Sequence, residues 1–266
     1  MSPPGTALRP GLCSVTLRHL PAEEVIALAA AAGLETIEWG ADVHAPAHSP
    51  AGLATIADAS RHYGVGIASY GSYWRAGTSS LAEGEAALRA ADALGCHRVR
   101  VWAGVAGSDV TDAPVREAVV RDVRTLADRA ATLGLEIAFE HHDRTLADTP
   151  ASTLDLLAAV DRPNVGTYWQ PRVGETTDVA VAGLEALLPY VRAVHVFSWW
   201  PGIARLPLAD RADLWTRVMA VLASTGRGLD LLLEFVPDDD ASVLPTEAAT
   251  LRGWIDGATE GRGPAR

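Results

Sequence analysis

One unit recurs along the chain: a helical stretch that ends at a glycine, followed at once by a short apolar run. EEVIALAAAAG ends at Gly33 and leads into ETIEWG, and residues 51–63 end at Gly64 and lead into VGIASYGSYW. EAALRAADALG ends at Gly95 before HRVRVWAG, and residues 113–133 end at Gly134 before LEIAFEHH. A glycine just past a helix accepts the left-handed backbone that closes the last turn. The second half repeats the unit with looser punctuation. TPASTLDLLAAV precedes NVGTYWQP, VAGLEALLPY precedes VRAVHVFSWW, and residues 209–226 precede GLDLLLEFVPD, with a last helix expected over 243–258. With GLCSVTLR as the first strand, eight strand–helix pairs result.

The strands read as apolar runs bounded by turn signals, as strands buried on both faces do. Strand and helix signals in alternation point to a parallel sheet. No GxGxxG follows the first strand, and eight even units favour closure over an open doubly wound sheet. At 266 residues the chain has the length of one such barrel. The expected fold is therefore α/β, a single (β/α)8 TIM barrel domain over 1–266, with its core over about 10–258 and flexible ends at 1–9 and 259–266.

Composition removes several function classes. The chain contains no lysine, so all 22 basic residues are arginine. Schiff-base chemistry, pyridoxal phosphate and the lysine of a phosphate-binding loop are thereby excluded. A net charge of −11 argues against nucleic acid and against anionic membrane surfaces as partners. Neither a signal-peptide core nor a membrane-length apolar run is visible, and the two cysteines form no CxxC pair. Cys13 and Cys96 read as small buried hydrophobes in a reducing compartment, and the expected location is cytoplasmic.

Catalytic groups of such a barrel sit at the C-terminal ends of its strands, and polar residues accumulate there. Glu38 ends the second strand, with His44 in the loop beyond it; Arg100 lies in the fourth; Glu140, His141 and His142 end the fifth. Glu140, Gln170, His195 and Glu234 then occupy four consecutive strand ends. Neighbouring strands run about 4.8 Å apart, so inward side chains from four of them can converge. Two carboxylates, one imidazole and one amide oxygen form a mixed N/O donor set suited to Mn2+, Mg2+, Co2+ or Zn2+. The competing reading is four structural polar residues, each with its own partner; arginine is the only cation available to pair the two glutamates. Trp102 and Trp169 stand at strand ends and suit stacking on a sugar ring or a flat aglycone. Of the two histidines after Glu140, alternation favours His142 for the pocket face. Arg205 is among the arginines able to meet an anion.

These residues, in the stretches GLETIEWGADVH, VGIASYGSYW, IAFEHHDRTLADT, NVGTYWQPR, VRAVHVF and LLLEF, resemble the sugar isomerase/epimerase family of xylose-isomerase-like barrels over nearly the whole chain. The resemblance implies a divalent metal, Mn2+ first, held by a Glu, an Asp, a His and a Glu on strands five to eight. It maps these onto Glu140, His195 and Glu234, with Gln170 standing at the aspartate position. It implies acid–base roles for Glu140 and Glu234. The strand-end and loop residues Glu38, His44, Trp102, His142, Trp169 and Arg205 form the expected substrate-binding set. Val173 stands where family epimerases carry a substrate-contacting histidine. Many members are homodimers or homotetramers, and the residues here do not choose among assemblies.

The expected activity is a metal-dependent isomerase or epimerase acting on a sugar, polyol or related hydroxy-ketone through an enediolate. A lyase, either a dehydratase or a C-glycoside deglycosidase, stands second because the same enediolate can expel a β-substituent. A non-catalytic sugar-binding barrel stands third. The hydride shift of xylose isomerase itself uses a lysine that is absent here.

Overall fold

The computed structural model describes residues 7–260, so the expectation of flexible ends at 1–6 and 261–266 falls outside the described residues. Eight parallel strands close into a barrel in sequence order: β1 Leu8–Cys13, β2 Thr36–Gly40, β3 Gly66–Arg75, β4 Arg98–Trp102, β5 Glu136–Phe139, β6 Val165–Trp169, β7 Val191–Val196 and β8 Leu229–Leu233. The ring shuts where β1 pairs with β8, Leu8 opposite Leu229 and Leu12 opposite Leu233. Eight α-helices alternate with the strands: α1 Ala22–Ala31, α2 Pro50–Tyr63, α3 Leu81–Leu94, α4 Ala113–Thr132, α5 Pro150–Val160, α6 Thr177–Leu187, α7 Ala212–Ser224 and α8 Leu244–Glu260. Among the described residues no helix is long and apolar enough to cross a membrane.

The punctuation works as the residue types dictate. Gly64 and Gly95 end α2 and α3 with φ of 70° and 72°, the left-handed closure expected of them. Ser80 and Glu83 form a reciprocal capping box at the start of α3. The less regular second half has a physical cause: Asp161, with φ of 48°, closes α5 where the earlier units use glycine. At the N-terminus the strand is shifted from the expected GLCSVTLR. β1 begins at Leu8 and gives way after Cys13 to a short 3-10 turn over Ser14–Leu17. Residues 8–9 and 259–260, expected to be loose, belong to β1 and α8.

The outward faces of the strands pack on the helices in one apolar layer that includes Trp39, Trp169 and Trp215. Inside the barrel the order is polar, apolar, polar. At the N-terminal end Arg98 lies 3.2 Å from Asp230, which also meets Arg9 at 2.5 Å. Above it sits a small plug that includes Ala68, Ala138, Tyr168, Ala193 and Leu232. Above the plug stand the polar side chains of the C-terminal mouth.

Both cysteines are buried, and burial pushes the Cys96 thiol up to about 12. Thiolate is the reactive form, so neither sulfur should react in the folded protein. Iodoacetamide at about pH 8 is expected to leave the native protein unlabelled and to modify both thiols after unfolding. Labelling of the native protein, read by intact mass, would contradict this packing.

Candidate active site

Alternation along β4 turns Arg98 and Arg100 inward, and Arg100 is only 3% exposed. A guanidinium so far from water needs carboxylates. Its Nε donates to Glu38 Oε1 at 2.9 Å, and its Nη1 donates to Glu140. Gly71 on β3 makes the crossing feasible: a Cβ there would lie 2.7 Å from the Arg100 guanidinium and 3.1 Å from Glu38. The second oxygen of Glu38 accepts from Ser69 at 2.8 Å, and the Ser69 hydroxyl accepts from Tyr168 at 2.7 Å. Burial raises the Glu38 carboxyl, but Arg100 and then His195 outweigh it and hold it well below the usual carboxylate range.

The ends of β6, β7 and β8 bring Gln170, His195 and Glu234 together. His195 Nδ1 is 2.8 Å from Gln170 Oε1 and 3.4 Å from Glu234 Oε2, while Nε2 stands 3.3 Å from Glu38 Oε1. Nε2 nevertheless lacks an aligned hydrogen bond. Cys13 joins from β1, and its sulfur lies with donor atoms of His195 and Glu234 inside a 4.8 Å cluster. Glu234 is oriented by unusual backbone: Phe235 beside it has φ of 58°, a left-handed conformation costing a non-glycine residue about 1 kcal/mol. Thr16 holds it there, its hydroxyl accepting from the Phe235 N–H at 3.0 Å.

A divalent cation fits this donor set. Glu38, Glu140 and Glu234 are buried carboxylates, and among the described residues Arg100 is the one guanidinium paired with any of them, through Glu38 and Glu140. Three carboxylates against one guanidinium leave the cluster with an excess of acceptors, and buried charge left uncompensated is costly. Carboxylate, amide and imidazole donors suit a hard or borderline metal.

Over these groups opens a cavity of about 280 Å³, whose walls include Glu140, Gln170, Glu234, Trp102 and His142. Three of the four proposed metal-site residues, Glu140, Gln170 and Glu234, and two of the six substrate-contact candidates thus line one cavity, while the fourth, His195, is fully buried against Gln170 and Glu234. The other four substrate-contact candidates lie elsewhere. Glu38 faces inward but below the cavity, its oxygens taken by Arg100 and Ser69. His44 is turned away, Nε2 meeting the Leu20 carbonyl at 3.0 Å. Trp169 faces the helices, edge-on to Trp215, because its neighbour Tyr168 takes the inward position. Arg205 sits outside the wall, paired with Asp239 and lying over the Phe235 ring. His141, set aside on alternation, lines the cavity beside His142 because β5 ends at Phe139 and alternation ends with it. Arg100 was visible as a charge in an apolar strand, but its two partners are distant in sequence.

Gly71→Ala is expected to lower stability by about 1–3 kcal/mol by forcing Arg100 off its carboxylates. Thermal and urea unfolding would measure this, and an unchanged midpoint would mean that Arg100 has slack.

A family model described as xylose isomerase-like TIM barrel matches residues 26–254. A 3-dehydroshikimate dehydratase of Bacillus anthracis is 29% identical over 100 residues, a match spanning 37% of this chain and only 36% of that relative. Among solved structures, the probable 3-DHS dehydratase AsbF of Bacillus anthracis superposes with a TM-score of 0.77 at 19% identity, covering 92% of this chain and 99% of the other. A xylose isomerase-like TIM barrel protein of Mycobacterium smegmatis in complex with magnesium gives 0.73 at 16% identity, covering 96% and 99%.

Proposed function

Because the chain belongs to the family of xylose isomerase-like TIM barrels, we propose that it is a divalent-metal-dependent enzyme that removes the proton next to the carbonyl of a small hydroxy-ketone and then expels water from the neighbouring carbon. One observation carries this: the two carboxylates at the mouth are unequal. Glu140 is clamped by Arg100, whereas Glu234 has no arginine ion pair among the described residues and lies 3.4 Å from the His195 ring, with the Cys13 sulfur in the same cluster.

Glu140, Gln170, His195 and Glu234 are the residues that would hold the metal, with Mn2+ first and Mg2+, Co2+ or Zn2+ as alternatives. Bound there, a divalent cation supplies Lewis-acid polarisation of the substrate carbonyl. Glu234, the freer carboxylate, takes the proton from the adjacent carbon, and the electron pair moves into the carbonyl. As the carbonyl re-forms, the C–O bond at the next carbon breaks. The proton on Glu234 leaves with the hydroxyl as water, and the carboxylate is ionised again. A single base thus closes the cycle. Arg100 fixes Glu140 through a charge-assisted hydrogen bond, which suits a ligand better than a second proton carrier.

Isomerisation or epimerisation, ranked first from the residues alone, needs a proton returned from the opposite face. It remains the second reading because Glu140 and Glu234 do line the same cavity. The similarity to dehydratases supports elimination.

Elemental mass spectrometry of the purified protein is expected to find about one equivalent of divalent metal, lost in Glu234→Ala. No metal in wild type, even after soaking with Mn2+, would overturn the reading in favour of a binding barrel. With hydroxy-ketone substrates, a product lighter by one water supports elimination, and a product of equal mass supports isomerisation. Glu234→Gln is expected to lower kcat by about 10²–10⁴-fold. Full turnover in that variant would remove Glu234 as the base.

A further inference from the structure

The arginines around the mouth are nearly all spoken for. Arg18 holds Asp42 at 2.8 Å, Arg172 holds Asp143 at 3.1 Å, and Arg100 bridges Glu38 and Glu140. Arg75 differs. It ends β3, lines the cavity, and has no carboxylate within ion-pair distance among the described residues. Among the described residues its one side-chain hydrogen bond runs from Nη1 to the Gly104 carbonyl at 3.3 Å. Its Cζ lies 4.1 Å from the centre of the Trp102 ring, which packs at 4.7 Å on His142.

Arg75 is both stacked on a ring and tied to backbone, so its fork is held over the cavity with most of its five donors unmet among the described residues. A planar guanidinium that is stacked, positioned and uncompensated suits a planar anion taken in two parallel hydrogen bonds. One such fork matches a single carboxylate, and no glycine-rich phosphate cradle accompanies it.

We propose that Arg75 binds a carboxylate of the substrate, so that the substrates are hydroxy-keto acids rather than neutral sugars. This rests on the α-proton chemistry assigned above to Glu234. The carbonyl end of the substrate lies toward Gln170 and Glu234, and the carboxylate end lies against the Arg75–Trp102 wall.

The test is binding, read by tryptophan fluorescence and calorimetry, with two matched pairs of probes: 3-dehydroshikimate against its methyl ester, and the keto acid D-fructuronate against D-fructose. Wild type, R75Q and R75K are each titrated metal-free and with Mn2+. At least one acid is expected to bind wild type about 10–100-fold more tightly than its neutral partner. Added salt should weaken that preference. R75Q is expected to erase it while leaving the neutral partner's affinity unchanged, and R75K is expected to keep part of it. Equal binding of acid and neutral partner by wild type, no binding of either acid, or a preference that survives R75Q would each overturn the proposal. The metal-free titrations separate the two readings. A preference without metal uptake would retain Arg75 and remove the metal chemistry, whereas metal uptake without a preference would do the reverse.

Discussion

The mouth of this barrel is organised by a buried arginine. Arg100 reaches from β4 to Glu38 on one side and Glu140 on the other, so three strands share one guanidinium. Such a group is tolerated only when its donors are met, and removing one carboxylate would leave a charge stranded in low dielectric. The consequence is positional. Glu140 cannot swing freely, Glu38 is withdrawn from the cavity, and Glu234 becomes the least encumbered carboxylate. The absence of lysine sharpens this arrangement, because a guanidinium stays charged where a buried ammonium would lose its proton.

The barrel was legible in the sequence because its signals are local. Helix, closing glycine and apolar strand each declare themselves within about ten residues, and glycines such as Gly64 and Gly95 adopt the backbone expected of them. Only the first strand was displaced, since nothing in GLCSVTLR marks where the chain leaves the sheet for a 3-10 turn. The strand-end set of Glu140, Gln170, His195 and Glu234 was legible for the same reason: position on a strand fixes which end of the barrel a side chain reaches.

What the sequence left hidden depends on partners far apart in the chain. Glu38 and Arg100 are 62 residues apart, and no pattern in either strand announces that they meet. Trp169 was placed on the wrong face because strands buried on both sides carry no alternation to read; only the inward turn of Tyr168 decides it. His141 was lost to the opposite error, since alternation was extended past the last paired residue of β5. Cys13 reads as an ordinary hydrophobe until β1 and β7 are placed beside the same carboxylates.

The tether between Thr16 and the backbone of Phe235 crosses the seam where β1 meets β8. Thr16 follows β1, and Phe235 follows β8, 219 residues later in the chain. The carboxylate at Glu234 therefore takes its aim only when the seam between β1 and β8 has closed. A nascent or clipped chain lacking that seam would carry most of the barrel wall and none of the aimed base, so competence for chemistry arrives with the completed ring.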